Sequence, residues 1–290
     1  MQGRISVFSA CAVCLAAVVS CVQQPALQDN RFVFTVVNVG QGLSQIGAVG
    51  SEAIAWDMGD TGATQQWNSA YAGMHEPHLR AIVVSHSHAD HMGGLNTLGD
   101  SIGFSGLIIT GMLEDTALIR ENCGSWREKI RFRTIAQGDT IGALDGVSVE
   151  CIWPPRDLAI GAPVIDDYKN RYSLCFIVRY GSNAVLITSD IDTLAERELA
   201  SRYGFSLMSD IIVVPHHGSS GSVDPVFYGY VNPSDAVISY GADNPYGHPA
   251  QNVLDLLFQM HVQLYETAMK GTVSAVTDGY YFSITVERMQ

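Results

Sequence analysis

Ala81-Ile82-Val83-Val84-Ser85-His86-Ser87-His88-Ala89-Asp90-His91-Met92-Gly93-Gly94 is the stretch on which the reading of this 290-residue chain turns. Its first four residues form a short continuous apolar run, the pattern of a strand buried on both faces. Beyond the run His86 and His88 alternate. Alternate side chains of an extended segment lie on one side, so two imidazoles can point at one metal ion. Asp90 and His91 follow where the chain turns, offering an oxygen and a nitrogen to a second ion nearby. Gly93-Gly94 then let the backbone come close to the site before a helix begins. Three of the chain's nine histidines thus fall within six positions. The plain alternative, a His-rich surface loop, leaves that density unexplained. A hydrolase explains it: two neighbouring metal ions bring the pKa of a water toward neutrality and polarise the bond to be broken. Such a centre must keep coordination positions open, which a closed cage of four cysteines would not.

Further candidates lie at the ends of other apolar runs. Ala184-Val185-Leu186-Ile187-Thr188-Ser189-Asp190 places an acid at a strand end, where the alternative role is a helix N-cap. Ile212-Val213-Val214-Pro215-His216-His217-Gly218-Ser219 repeats the design of a buried strand, a histidine pair and a glycine turn; the alternative is a satisfied core histidine. Tyr246-Gly247-His248-Pro249 follows the run Ala236–Ser239 and is expected in the same site. Asp57, closing the strand-like Ala53–Asp57, is expected to orient a ligand histidine from behind. His75, His78 and His261 lack such context and are read as structural or exposed.

The remaining periodicity is mixed. Strand signals cover Phe32–Val39, Val147–Ile152, Leu174–Tyr180, Ala184–Thr188, Ile211–Val214 and Tyr280–Val286, with a hairpin turn around Gly181-Ser182-Asn183. Helical signals cover Asp192–Tyr203, capped by Asp192 or Thr193 with Leu194 and Leu199 inward, and Ala250–Met260, with an apolar stripe of Val253, Leu254 and Leu257. Together they predict a layered α/β sandwich. The segments Thr61–Pro77 and Trp153–Lys169 read as loops whose Trp67, Tyr71, Trp153 and Tyr168 either join the core or stack on a substrate.

Composition sets the outer limits. With 47% hydrophobic and 16% charged residues and 28 glycines, the chain is globular with many tight turns. A formal charge of −13, with only 16 Lys and Arg, speaks against an extended surface that coats nucleic acid. Residues 1–20 carry one charge, Arg4, ahead of an apolar run from Ile5 to Val19, the pattern of a secretory signal peptide. Val18-Val19-Ser20-Cys21 resembles the lipobox of bacterial lipoproteins, with lipid on Cys21 and residues 21–30 as a tether. Cleavage there removes Arg4 and moves the charge from −13 to −14. Cys11 and Cys14 would leave with the signal. Of the four cysteines that remain, lipidation of Cys21 leaves three, enough for one disulfide at most. Residues 31–290 show no linker and no repeat and read as one domain.

Taken in order, these motifs resemble the metallo-β-lactamase superfamily and, within it, the hydrolase domain of ComEC-type competence proteins. The resemblance rests on Asn38-Val39-Gly40-Gln41-Gly42, Asp57-Met58-Gly59, the His86–His91 motif with Gly93-Gly94, Asn170-Arg171-Tyr172-Ser173-Leu174, Ser189-Asp190, Pro215–Ser219 and Tyr246–Pro249. It implies a four-layer αββα sandwich with two divalent ions, zinc or alternatively manganese, at the edge between the sheets. His86 and His88 would hold one ion, Asp90 and His91 the other, and Asp190 would bridge. His216 would be the later ligand. His217 and His248 would bind weakly or touch substrate, and Ser219 would hydrogen-bond a substrate oxygen. Asp90, Asp190 and His248 are the residues expected to take part in catalysis. Three departures stand out. No histidine lies between His91 and Asp190, so that either one metal binds weakly or an acid such as Asp166 or Asp167 substitutes. Leu43 stands where the branch has an acid, and Ser189 where it has glycine.

The function expected is that of an exported, extracytoplasmic phosphodiesterase, lipid-anchored to a membrane or secreted. Its acidic charge suits a small phosphodiester or a phosphocholine-type group on a cell-wall polymer better than nucleic acid. The alternatives are a lactone or β-lactam hydrolase of the same fold and a non-catalytic metal-binding lipoprotein.

Overall fold

Fourteen strands among the described residues arrange themselves as two sheets. The computed structural model describes residues 30–99, 101–159 and 166–287; the expected signal peptide, Cys21 and all of the tether except Asn30 lie outside them, as do the side chains of Asp166 and Asp167. The strands are β1 Phe32–Val36, β2 Ser44–Val49, β3 Glu52–Met58, β4 His78–Val84, β5 Leu107–Thr110, β6 Arg131–Thr134, β7 Val147–Trp153, β8 Cys175–Tyr180, β9 Asn183–Ile187, β10 Ile211–Val213, β11 Asp235–Ile238, β12 Gln263–Glu266, β13 Val273–Thr277 and β14 Phe282–Val286. One sheet runs β14-β13-β1-β2-β3-β4-β5-β6, the other β12-β11-β10-β9-β8-β7.

Three apolar clusters mark the interfaces of four layers. Between the sheets, Phe34, Trp56, Val83 and Ile109 meet Val149, Phe176, Val185 and Val213. Trp56 stands edge-on to both Phe34 and Phe176 with centroids 6.3 Å apart, so one buried ring ties the two sheets. The outer face of the first sheet is covered by Trp67, Tyr71, Leu95 and Ile119, and that of the second by Leu199, Phe227, Tyr228 and Leu257. This is the αββα sandwich expected from sequence.

The topology also decides where chemistry can sit. Strand β3 pairs parallel with β4, and β9, β10 and β11 pair parallel with one another. Their carboxyl ends therefore open on one edge, the usual place for a site in such sheets. Asp57, Ser85–His91, Asp190, His216-His217 and Ser239 all lie at or just beyond those ends.

Some elements depart from the sequence reading. The segment Thr61–Pro77 contains a helix, Thr64–Gly73, whose Trp67 and Tyr71 lie four residues apart, stack at 5.0 Å and are buried. Trp153 is buried too, so these three aromatics belong to the core. Helix Thr193–Tyr203 is capped by the Asp192 carboxylate, which accepts from the N–H groups of Leu194 and Ala195. Its buried stripe is Ala195, Glu196, Leu199 and Ala200, which leaves Leu194 off the stripe and 54% exposed, contrary to expectation. Among the described residues no helix is long and apolar enough to cross a membrane.

Candidate metal centre

Asp57 closes β3 in a left-handed conformation, φ 56°, and is fully buried. Its Oδ1 accepts from the Ser85 N–H at 2.8 Å, and its Oδ2 accepts from Ser85 Oγ and from His91 Nδ1, each at 2.8 Å. Because Ser85 Oγ spends its proton on Asp57, its lone pair accepts from His86 Nδ1 at 3.0 Å. On the other sheet, His217 Nδ1 donates to the Ser239 carbonyl at 2.9 Å. Three imidazoles are thus tied at Nδ1–H from behind, each turning Nε2 inward. That is the arrangement by which partners behind a metal-ligating histidine fix its tautomer and ring plane.

What they face is acidic. His91 Nε2 lies 3.2 Å from Asp190 Oδ1, and His217 Nε2 lies 3.4 Å from Asp90 Oδ2 and 3.6 Å from Asp190 Oδ2. The groups His86/His91/Asp190 and Asp90/His91/His217 each bring one donor atom per residue within 4.8 Å of the others. His88 stands beside the first, its Nδ1 3.0 Å from His86 Nε2. The ion-pair contact between His91 and Asp190 is close in distance but lacks hydrogen-bond geometry: His91 Nε2, His217 Nε2 and Asp190 Oδ1 are all buried without a hydrogen-bond partner. Orphaned buried donors and acceptors are costly. A converging set of nitrogens and carboxylate oxygens is resolved by divalent cations, so the residues fit the metals that the motif implies.

The electrostatics agree. Burial alone would raise the pKa values of Asp90 and Asp190. Instead His217 and His91 hold Asp90 below the usual carboxylate range, and His91 and His217 hold Asp190 well below it. Burial would lower His91 and His217, yet Asp190 with Asp57 raises the first, and Asp190 with Asp90 raises the second. His86 is pushed well down by burial and by His91 beside it. The buried Asp190 and the half-buried Asp90 beside it demand positive charge here, whether it comes as protons or as metal.

Backbone geometry places these groups. Ser189, His216 and His217 join Asp57 in the left-handed region, with φ of 46°, 49° and 56°. Non-glycine residues held there are strained, and such strain gathers at functional sites. Gly42 (φ 139°) passes so close to the Asp90 carbonyl that a Cβ would lie 2.5 Å from it, and the neighbouring Leu43 N–H donates to that carbonyl at 3.0 Å. Gly94 presses on Met58, where a Cβ would meet the carbonyl oxygen at 2.1 Å. The close approach read at Gly93-Gly94 is thus a contact with the end of β3.

The two late histidines, of which His216 is the expected ligand and His217 the expected weak ligand or substrate contact, sit differently. His217 is buried and enters a donor group, whereas His216 is partly exposed, 3.8 Å from Asp190 Oδ2, with its Nε2 3.3 Å from Asn170 Nδ2. Two adjacent and chemically alike residues carry no sequence sign of which one enters the donor group. His248 stacks on His217 at 6.1 Å, and burial and the neighbouring histidines His217 and His216 bring it down to about 4. Ser219 Oγ accepts from Gly221 N–H at 3.3 Å inside its own turn. Sequence reading gave no role to Ser85, although it stands inside the quoted stretch. Nor did it find Asp115, buried and accepting from Ser87 Oγ at 2.7 Å; 28 residues separate those two, and no local pattern marks the pair.

Comparison with known proteins follows the same lines. Residues 56–157 match the family model described as the metallo-beta-lactamase superfamily. The chain is 31% identical over 251 residues to Competence protein ComA of Neisseria gonorrhoeae, covering 86% of this chain and 33% of that protein. It is 26% identical to ComE operon protein 3 of Bacillus subtilis, covering 67% of this chain and 24% of that one. The chain spans a third or less of the length of the curated relatives it matches. Among solved structures, Zn(2+)-bound PqqB from Methylobacterium extorquens aligns with a TM-score of 0.56 at 12% identity, over 80% of this chain and 97% of that one. A diphosphatase from the PhnP family aligns at 0.50 and 15% identity, over 85% and 98%.

Proposed function

The chain belongs to the metallo-β-lactamase superfamily, and from that premise we propose that it is an extracytoplasmic metal-dependent hydrolase of small phosphodiesters. The observation that carries this reading is the set of three imidazoles, His86, His91 and His217, tied at Nδ1 and converging through Nε2 on Asp90 and Asp190. His86, His88 and Asp190 would hold one divalent ion, and Asp90, His91 and His217 the other. When bound, the ions supply an activated water and positive charge for the leaving oxygen.

The chain's own residues hold that centre in place. Asp57 keeps the His91 proton at Nδ1 and so leaves Nε2 as a ligand. Ser85 does the same for His86 through its Oγ. His248, brought down to about 4, is neutral near pH 7, so its ring carries one N–H that can donate to a substrate oxygen. Lys169, whose charge reaches His88 and Asp115, adds attraction for an anionic diester. A structural neighbour named as a diphosphatase supports phosphorus chemistry. Similarity to competence proteins brings nucleic acid forward as the other substrate class, and the charge of −13 stands against a long polyanion.

Elemental analysis paired with turnover of bis-p-nitrophenyl phosphate and p-nitrophenyl phosphorylcholine tests the proposal. Two metals per chain are expected, with metal-dependent hydrolysis lost in His88→Ala and Asp190→Ala. Bound metal without turnover of any phosphodiester would leave a binding protein, and a chain that takes up no metal would end the reading.

A further inference from the structure

The loop after β11 carries an aromatic feature that metal binding does not use. Three rings stack outward from the centre. His217 faces His248 with centroids 6.1 Å apart and planes 24° apart, and His248 faces Tyr246 at 5.6 Å and 25°. The inner ring belongs to a donor group that includes Asp90 and His91. The outer ring, Tyr246, is 66% exposed. A large aromatic left in water is ordinary when isolated. Here it continues a stack that begins at the reacting centre.

The loop is built to hold that ring still. Asn244 Oδ1 accepts from the N–H groups of both Tyr246 and His248, at 3.2 and 3.0 Å, while its Nδ2 donates to the carbonyls of Gly241 and His248, each at 2.8 Å. One side chain thus uses all its hydrogen-bonding capacity to fix the segment that presents the two rings. A platform ordered in advance loses little entropy when a planar group settles on it.

Other aromatics near the site serve elsewhere. Trp67, Tyr71 and Trp153 are buried in the core, and Tyr168 lies between Tyr172, stacked at 5.9 Å, and the Arg171 guanidinium, 5.6 Å from its ring. Tyr246 is the exposed aromatic that joins the centre through an unbroken ring stack.

We propose that Tyr246, backed by His248, is a stacking subsite for a planar ring on the substrate, so that the preferred phosphodiester carries a nucleobase or a similar flat heterocycle beside the scissile group. The inference rests on the phosphodiesterase reading for its anchor, with the phosphate at the metals and the ring on Tyr246. It also accommodates the acidic chain: a mono- or dinucleotide-sized diester needs one anchored phosphate and one stacked ring, whereas a long nucleic acid needs a basic track.

Two measurements on the metal-loaded protein test the subsite. The first is calorimetric binding of thymidine 5′-monophosphate, methyl phosphate and phosphorylcholine to the wild type, Tyr246→Ala and Tyr246→Phe. The wild type should bind the nucleotide more tightly than methyl phosphate by roughly fivefold to a hundredfold, the range that one base–aromatic stack supplies. Tyr246→Ala should erase that ratio, and Tyr246→Phe, which keeps the ring and loses the hydroxyl, should retain it. The second is the ratio of kcat/KM for the p-nitrophenyl esters of thymidine 5′-monophosphate and of methyl phosphate, which share a leaving group. That ratio should fall in Tyr246→Ala through KM. Equal binding of both ligands by the wild type, or a preference that survives in Tyr246→Ala, overturns the proposal. So does a preference for phosphorylcholine that depends on Tyr246, because a quaternary ammonium group would then be the occupant. Nucleotide binding that depends on Tyr246, without turnover of any diester, would keep the subsite and reject the hydrolase.

Discussion

At the scale of single residues the site is decided by hydrogen-bond direction. His216 and His217 are the same side chain one position apart, yet only His217 has its Nδ1–H tied to a carbonyl and its Nε2 facing both Asp90 and Asp190. His217→Ala should therefore reduce the bound metal from two ions to one, whereas His216→Ala should keep both; elemental analysis after gel filtration distinguishes them. The inverse result would return the ligand role to His216. Asp57 acts one layer further back. Replacement by Asn keeps an acceptor for the Ser85 N–H but puts an amide N–H where Oδ2 accepts from Ser85 Oγ and His91 Nδ1. Loss of such a partner typically costs 10- to 100-fold in metal affinity. Asp57→Asn should weaken metal binding by about that factor in a chelator competition while the circular dichroism of the fold stays unchanged. Retained affinity would mean that Ser85 alone orients the ring.

At the scale of elements, the Asp190 and His217 loops are joined through the helix Thr193–Tyr203. Thr193 donates to the Gly221 carbonyl from both its N–H and its Oγ1, Ser222 Oγ donates to the Ile191 carbonyl, and the buried Glu196 Oε2 accepts from the Asp224 N–H at 2.7 Å. Burial, with the Asp224 and Asp192 charges, pushes Glu196 up to about 8 against that one backbone hydrogen bond. A folded-state pKa above the unfolded one means the native carboxyl holds its proton while the unfolded one releases it. The associated stability is present below about pH 4.5 and is lost as pH rises toward 8, on the order of 5 kcal/mol across the window. Glu196→Gln cannot ionise, so urea midpoints measured from pH 5 to pH 8 should fall less steeply than in the wild type. Parallel slopes would place the ionisation elsewhere. The same helix shows what sequence could convey. Its cap and its Leu199 were legible, as were β3, β4, β9 and β10, whose apolar runs and chemical endings are continuous in the chain. Strand β6, Arg-Phe-Arg-Thr, and β12, Gln-Leu-Tyr-Glu, were not, because edge strands take their structure from a neighbour and carry polar side chains. In β2 the buried Gln45 and the following Gly47 broke the alternation. The donors were readable one loop at a time; which of two adjacent histidines turns inward, and that Tyr246 continues the stack, depend on backbone conformations that no local pattern records.

At the scale of the whole molecule, the centre is a clasp between two sheets. His86, His88, Asp90 and His91 follow β4 of one sheet, while Asp190 and His217 follow β9 and β10 of the other. In an unfolded chain 131 residues separate His86 from His217, so metal binds the folded state far better than the unfolded one. Ligand present at a thousand times its Kd adds about 4 kcal/mol of stability, and a domain of this size gains roughly 2–4 °C of Tm per kcal/mol. Treating the metal-loaded protein with EDTA should therefore lower Tm by about 10 °C, and added zinc or manganese should restore it. Asp190→Ala has lost the carboxylate that faces both groups of donors, so its Tm should respond little to chelator, which separates site-specific stabilisation from any general effect of EDTA. A wild-type Tm indifferent to chelator would mean that ion pairs of His91 and His217 with Asp190 and Asp90 already close this edge, and that metal adds chemistry without adding stability.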